Sequence, residues 1–149
     1  MNELTSQYGA RNRILSYDEN GNLTSDGTST LGWDAANRLA FIQKGALTSE
    51  FSYDGVGRTA RIVEKNGAVV LSDKRFLWCG MEMCEERDSS GAAVMKRYFG
   101  QGMQVGSAKY FYTRDHLGSI REVVDEDGDV RARYAYDPYG RQKKLAGDL

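Results

Sequence analysis

Residues 53–59 read YDGVGRT, and the pattern is written four times in the chain. Residues 17–23 read YDENGNL, residues 33–39 read WDAANRL and residues 136–142 read YDPYGRQ. Each copy has an aromatic residue, an Asp, two variable residues, a Gly or Asn, and a polar residue. A single active site needs its residues once, so a fourfold pattern points to architecture. The Asp (Asp18, Asp34, Asp54, Asp137) can accept hydrogen bonds from the amides of its own turn. The glycine (Gly21, Gly57, Gly140) permits a positive φ, and Asn37, in its place in the second copy, tolerates the same left-handed region. The aromatic (Tyr17, Trp33, Tyr53, Tyr136) closes a strand and packs sideways on its neighbours. Each unit therefore reads as a strand, a turn and a strand. Spacings of 16 and 20 residues between the first three copies fit one hairpin per repeat.

The segments between the turns alternate with period two. In VRARYAY (130–136), Val130, Ala132, Tyr134 and Tyr136 share one face, and Arg131 and Arg133 share the other. Tyr110 and Tyr112 align in KYFYTR, as do Met81 and Met83 in MEMCEER. Such strands have one drier and one wetter face. Further turn signals stand at ENGN (19–22), KNGA (65–68), DSSG (88–91) and DEDGD (125–129). The reading is all-β: about ten to thirteen short strands joined as a meander of hairpins into a curved, open sheet. They are expected at 13–17, 22–25, 29–33, 38–43, 49–53, 59–64, 68–78, 81–87, 93–99, 103–106, 109–114, 120–124 and 130–136. No composition break or linker divides the chain, so residues 1–149 are expected to form a single domain.

Composition agrees. The 149 residues include 17 Gly, 9 Tyr and only 1 Pro, and no dozen residues hold a 3.6-residue apolar period. Lys plus Arg is 20 and Asp plus Glu is 21, a net charge of −1. Dedicated nucleic-acid binders carry a basic stripe, so nucleic acid is not expected as a partner. No apolar run approaches a membrane span, so membrane insertion is not expected either, and the N-terminus lacks a signal-peptide core. Cys79 and Cys84 on one straight strand would lie roughly 16 Å apart on opposite faces, beyond disulfide reach, and read as free thiols.

The repeats resemble the YD-repeat, or Rhs, family, which includes bacterial Rhs proteins, the C component of Tc toxins, wall-associated proteins and teneurins. The long string from Tyr112 to Arg141, YTRDHLGSIREVVDEDGDVRARYAYDPYGR, is similar to the segment that introduces the Rhs-associated core. WDAANRL departs by using Trp33 for Tyr and Asn37 for Gly. The resemblance covers nearly the whole chain, more weakly between 68 and 107. It implies a β-shell that encloses or presents a toxin, or supports adhesion, in a protein that is secreted or at the cell surface. The family's core ends in a self-cleavage segment of DPxGL type. Asp137 and Pro138 are followed by Tyr139, Gly140 and Arg141, which match the turn repeat instead.

Other chemistry reads weakly. His116 is the sole histidine, flanked by Asp115, Gly118 and Ser119, but three triad members within five residues do not readily converge. DHLGS is better read as a connection between strands 109–114 and 120–124. An EF-hand loop needs Gly at position six and Glu at position twelve; counted from Asp125, position twelve is Tyr136, and from Asp18 it is Ser29. One His and two opposite-facing Cys do not make a zinc site. GVGRTA has no following helix to bind phosphate. The expectation is a structural repeat module that is not an enzyme, with no catalytic residues, no metal and no cofactor. It would be part of a shell, and self-association or a partner chain would complete the sheet. A glycan- or receptor-binding surface built on Trp33, Tyr53 and Tyr136 is the second reading. A remnant of the self-cleaving core is the third.

Overall fold

Strands form wherever the alternation runs. The computed structural model describes residues 4–6 and 13–149, with side chains from residue 14 onward. The chain falls into two compact units, Met1–Phe76 and Leu77–Leu149. The first holds β1 (Leu4–Ser6), β2 (Arg13–Tyr17), β3 (Leu23–Ser25), β4 (Thr30–Trp33), β5 (Leu39–Lys44), β6 (Leu47–Tyr53), β7 (Thr59–Asn66) and most of β8 (Val69–Cys79). The second holds the end of β8, β9 (Glu82–Arg87), β10 (Val94–Phe99), β11 (Gly102–Val105), β12 (Ala108–Arg114), β13 (Ile120–Val124), β14 (Val130–Tyr136) and β15 (Gln142–Gly147). In each unit hydrogen-bonded neighbours are chain neighbours, and the pairs are antiparallel. No helix occurs among the described residues. The all-β, open meander expected from the sequence is what forms.

Two strands lie outside the sequence reading. β15 pairs with β14, with Tyr136 opposite Gln142 and Ala135 opposite Lys143. Lys143 and Lys144 therefore belong to the ladder. β1 pairs with β2, placing Leu4 opposite Leu15.

The thiols also depart from expectation. Gly80 takes φ +67° and turns the chain between β8 and β9. The turn brings the Cα atoms of Cys79 and Cys84 to 5.7 Å, and the pair is a disulfide. The estimate of wide separation fails because it assumes a straight strand.

Little of either unit is dry. Among the described residues the buried apolar side chains are Val63 in the first unit and Val123 and Ala132 in the second. With so thin an interior, the ladder, the turns and the cross-strand pairs carry a larger share of stability than they do in a layered domain.

Candidate functional site

The repeat turn is one device used throughout. At Asp54 the main-chain amide donates to the Arg58 carbonyl at 2.8 Å, and the Gly57 amide donates to the Asp54 carbonyl at 3.0 Å. The Asp54 carboxylate then accepts the amides of Val56 and Arg58 at 3.0 and 2.9 Å and the Arg58 guanidinium at 2.7 Å. Gly57 has φ +89°. The ladder shifts register between Ser52 and Tyr53. This is a type I turn closed by a left-handed residue in a bulge, the usual three-residue hairpin loop.

Asp18, Asp34 and Asp137 are held the same way. Asp18 accepts the amides of Asn20 and Asn22 at 3.0 and 2.8 Å. Asp34 accepts those of Ala36 and Arg38 at 2.9 and 3.0 Å. Asp137 accepts those of Tyr139 and Arg141 at 2.9 and 2.8 Å. Gly21 and Gly140 have φ +84° and +78°, and Asn37 has φ +58°. Asn22 also donates to the Asn37 side-chain oxygen at 2.8 Å, tying the first turn to the second.

The same turn recurs where the sequence showed no repeat. Asp115 accepts the amides of Leu117 and Ser119, both at 3.0 Å, and Gly118 has φ +85°. Asp125 accepts those of Asp127 and Asp129 at 3.1 and 2.9 Å, with Gly128 at φ +87°. These copies lack the aromatic, since Arg114 and Val124 precede the Asp. The signal that finds them is Asp-x-x-Gly alone. Asp115 is thereby committed to its turn, and His116 stands exposed on it, so Asp115, His116 and Ser119 form no triad.

Three of the four aromatic residues of the repeat have fixed main-chain partners. Trp33 Nε1 donates to the Leu23 carbonyl at 2.8 Å, the Tyr53 hydroxyl to Leu39 at 2.8 Å, and the Tyr136 hydroxyl to Ile120 at 2.9 Å. Each carbonyl belongs to the first residue of the preceding strand. The polar tips that a glycan would need are therefore engaged by the main chain.

Backbone amides, and side chains donating to the carboxylates, lower several aspartate pKa values. Asp34 and Asp54 titrate below the usual 3.8 chiefly through the amides of Arg38 and Arg58, and Asp18 through the Asn22 side-chain amide. In the second unit Tyr98 is pushed up by burial and by its hydrogen bond to Glu86, 3.0 Å away. Glu86 is itself buried.

No family model matches the chain. Among solved structures it resembles a chain of the Photorhabdus luminescens Tc holotoxin pore, with a TM-score of 0.57 at 15% identity over 85% of this chain and 7% of that one. The fold is an Rhs-like β-sheet. The Rhs-like sheet also has sequence relatives. The tRNA nuclease WapA of Bacillus subtilis strain 168 is 32% identical over 149 residues, and the tRNA3(Ser)-specific nuclease WapA of Bacillus spizizenii is 31% identical over 153. The tRNA(Glu)-specific nuclease WapA of Bacillus subtilis subsp. natto is 31% identical. Each match takes in 97% of this chain, and the chain spans 6% of each relative. These relatives overturn the expectation of a structural module that is not an enzyme, because all three are named for nuclease action on tRNA.

Proposed function

We propose that this chain works within a tRNA-cleaving toxin of the WapA kind, to which it contributes a stretch of Rhs-like sheet. The observation that carries the reading is sequence identity of 31–32% to three tRNA nucleases over 97% of the chain. The likeness to a Tc toxin chain supports the toxin setting. In this reading the sheet encloses or presents the cleaving segment of a secreted protein. A further strand, from a second copy or from another stretch of the same protein, pairs with the open side of β15. All six residues of β15 are exposed, and an unpaired edge recruits strands.

The test is cleavage. The protein that carries this chain is incubated with total tRNA of a Gram-positive bacterium, with and without magnesium, and the products are resolved on a denaturing gel. Discrete fragments from one or a few tRNAs are expected. Intact tRNA under every condition, from a protein shown to be folded, overturns the reading.

A further inference from the structure

In the second unit Phe99, Gly102 and Phe111 lie directly opposite one another on β10, β11 and β12. Cross-strand partners share a face of the sheet, so two phenylalanines flank a glycine. Both rings are exposed, Phe99 by 57% and Phe111 by 47%. Strands are about 4.8 Å apart, which puts the two phenylalanine backbones roughly 10 Å apart. A planar ring inserted midway would lie about 5 Å from each phenyl, within the 4.5–7 Å range of aromatic pairs. The floor must stay bare, because a Cβ on Gly102 would meet the Tyr110 carbonyl oxygen at 2.1 Å. An open cavity of about 250 Å³ occupies this place. It is smaller than most drug-sized pockets and suits one ring.

The first unit shows what a filled version looks like. There Gly32 pairs with Phe41, and the space a Gly32 Cβ would take holds the Phe41 ring, with Cε1 at 2.0 Å. The aromatic lies over its glycine, as aromatics often do across strands. At Gly102 the three nearest atoms are main-chain atoms of Tyr110 and Phe111, and none is from the Phe111 ring. The same residue pair is closed in one unit and open in the other.

Beside the slot runs a polar row. Arg97, Gln104 and Lys109 are cross-strand partners on the same three strands. Each lies two residues from its slot residue, about 6.6 Å along the strand on the same face. Gln104 Nε2 donates to the Gly106 carbonyl at 2.9 Å, which holds the amide in place with its oxygen as the remaining acceptor. Lys109 meets Glu126 at 3.3 Å with both side chains more than half exposed. Arg97 meets Glu85 at 3.3 Å. The exposed Lys109 pair contributes little, and Glu85 keeps its bond to Arg87 at 2.6 Å if Arg97 turns away, so both cations can turn to a phosphate.

We propose that Phe99, Gly102 and Phe111 form a stacking slot for one nucleobase of single-stranded RNA, with Arg97 and Lys109 taking the neighbouring phosphates. It rests on the tRNA-nuclease reading for its choice of ligand. Aromatic residues on sheet strands stack unpaired bases elsewhere, and stacking tolerates any base. The overall charge of −1 is no obstacle, because the cations are local and stacking supplies much of the affinity.

Anisotropy of a dye-labelled mixed-sequence RNA hexamer is measured against the 149-residue chain at low salt. Saturable binding is expected. Phe111→Ala and Phe99→Ala should each weaken it by roughly fivefold or more, and Lys109→Glu should weaken it and flatten its salt dependence. Circular dichroism checks that each variant is folded, and Lys109→Glu keeps the test alive if a Phe variant is not. Absence of binding, or binding unmoved by all three substitutions, overturns the slot. So does displacement of the RNA by a Trp- or Tyr-containing peptide at equal concentration, which would assign the slot to a protein side chain. Cleavage of tRNA without hexamer binding would sink the slot alone. Hexamer binding with no cleavage of any tRNA would sink the nuclease reading alone.

Discussion

The Tyr53 hydroxyl reaches back across its hairpin to the Leu39 carbonyl at 2.8 Å, fastening this aromatic to the strand made just before it, as Trp33 and Tyr136 are fastened to theirs. A hydrogen bond of this kind is worth about 0.5–1.5 kcal/mol net. Tyr53→Phe keeps the packing and drops the bond. The unfolding free energy from urea curves should fall by that amount, and Tyr136→Phe should match it. Equal stability of wild type and both variants would show that the bond to the main chain contributes nothing.

Gly57 has φ +89°, while among the described residues the neighbour an added Cβ would meet is Arg38, 4.0 Å away. Space is not the constraint there; backbone strain is. Gly57→Val should cost about 1–3 kcal/mol, and Gly57→Asn distinctly less. Asn37→Gly, at a position that already sits at φ +58°, should relieve the backbone but lose the bond from Asn22, a cost of about 0.5–1.5 kcal/mol at most. Urea curves of the three variants give the order directly.

Gly32 poses the opposite problem. Here an added Cβ collides with the Phe41 ring, so Gly32→Ala should destabilise until the ring is removed. In a Phe41→Leu background the same substitution should cost at least about 0.5 kcal/mol less. A double-mutant cycle that closes additively would mean the ring does not cover the glycine.

Acid should loosen the turns. Asp18, Asp34, Asp54 and Asp88 all titrate below 3.8 in the folded chain; the Ser90 hydroxyl is the main cause at Asp88. A carboxylate with a depressed folded pKa stabilises above its unfolded value and loses that contribution as pH falls through the folded value. Stability should hold steady from neutral pH to about 5 and decline below 4. Asp54→Asn should show a shallower decline in urea midpoints between pH 5 and pH 2.5.

Cys79 and Cys84 close a loop with a sequence separation of 5. Chain-entropy reasoning gives a bond this short about 2 kcal/mol. Under non-reducing conditions the intact mass should be two hydrogens lighter than the reduced chain, and Cys79→Ser should lower the urea midpoint accordingly. Free thiol in the denatured, unreduced protein would contradict the bridge.

The strands were legible because alternation and Asp-x-x-Gly turns are local signals. β13 and β14 occupy the expected residues 120–124 and 130–136. β1 and β15 escaped because LTS and QKKLAG alternate weakly; pairing with β2 and β14 is what makes them strands. The disulfide escaped because one glycine, Gly80, converts a run into a turn. The slot depends on Phe99 and Phe111 aligning across Gly102, and that register is set by the lengths of two loops, a property no single stretch of sequence displays. The nuclease connection came from relatives alone, since the turn that carries His116 is built like its neighbours.

Because hydrogen-bonded neighbours within each unit are neighbours in the chain, a hairpin can be gained or lost with only its two flanking junctions rebuilt. Duplication or deletion of a repeat by unequal recombination would then change the length of such a sheet without disturbing distant rungs. For a lineage, sheet size becomes a quantity that can drift, while the turn chemistry of Asp54, Gly57 and Arg58 is copied from rung to rung.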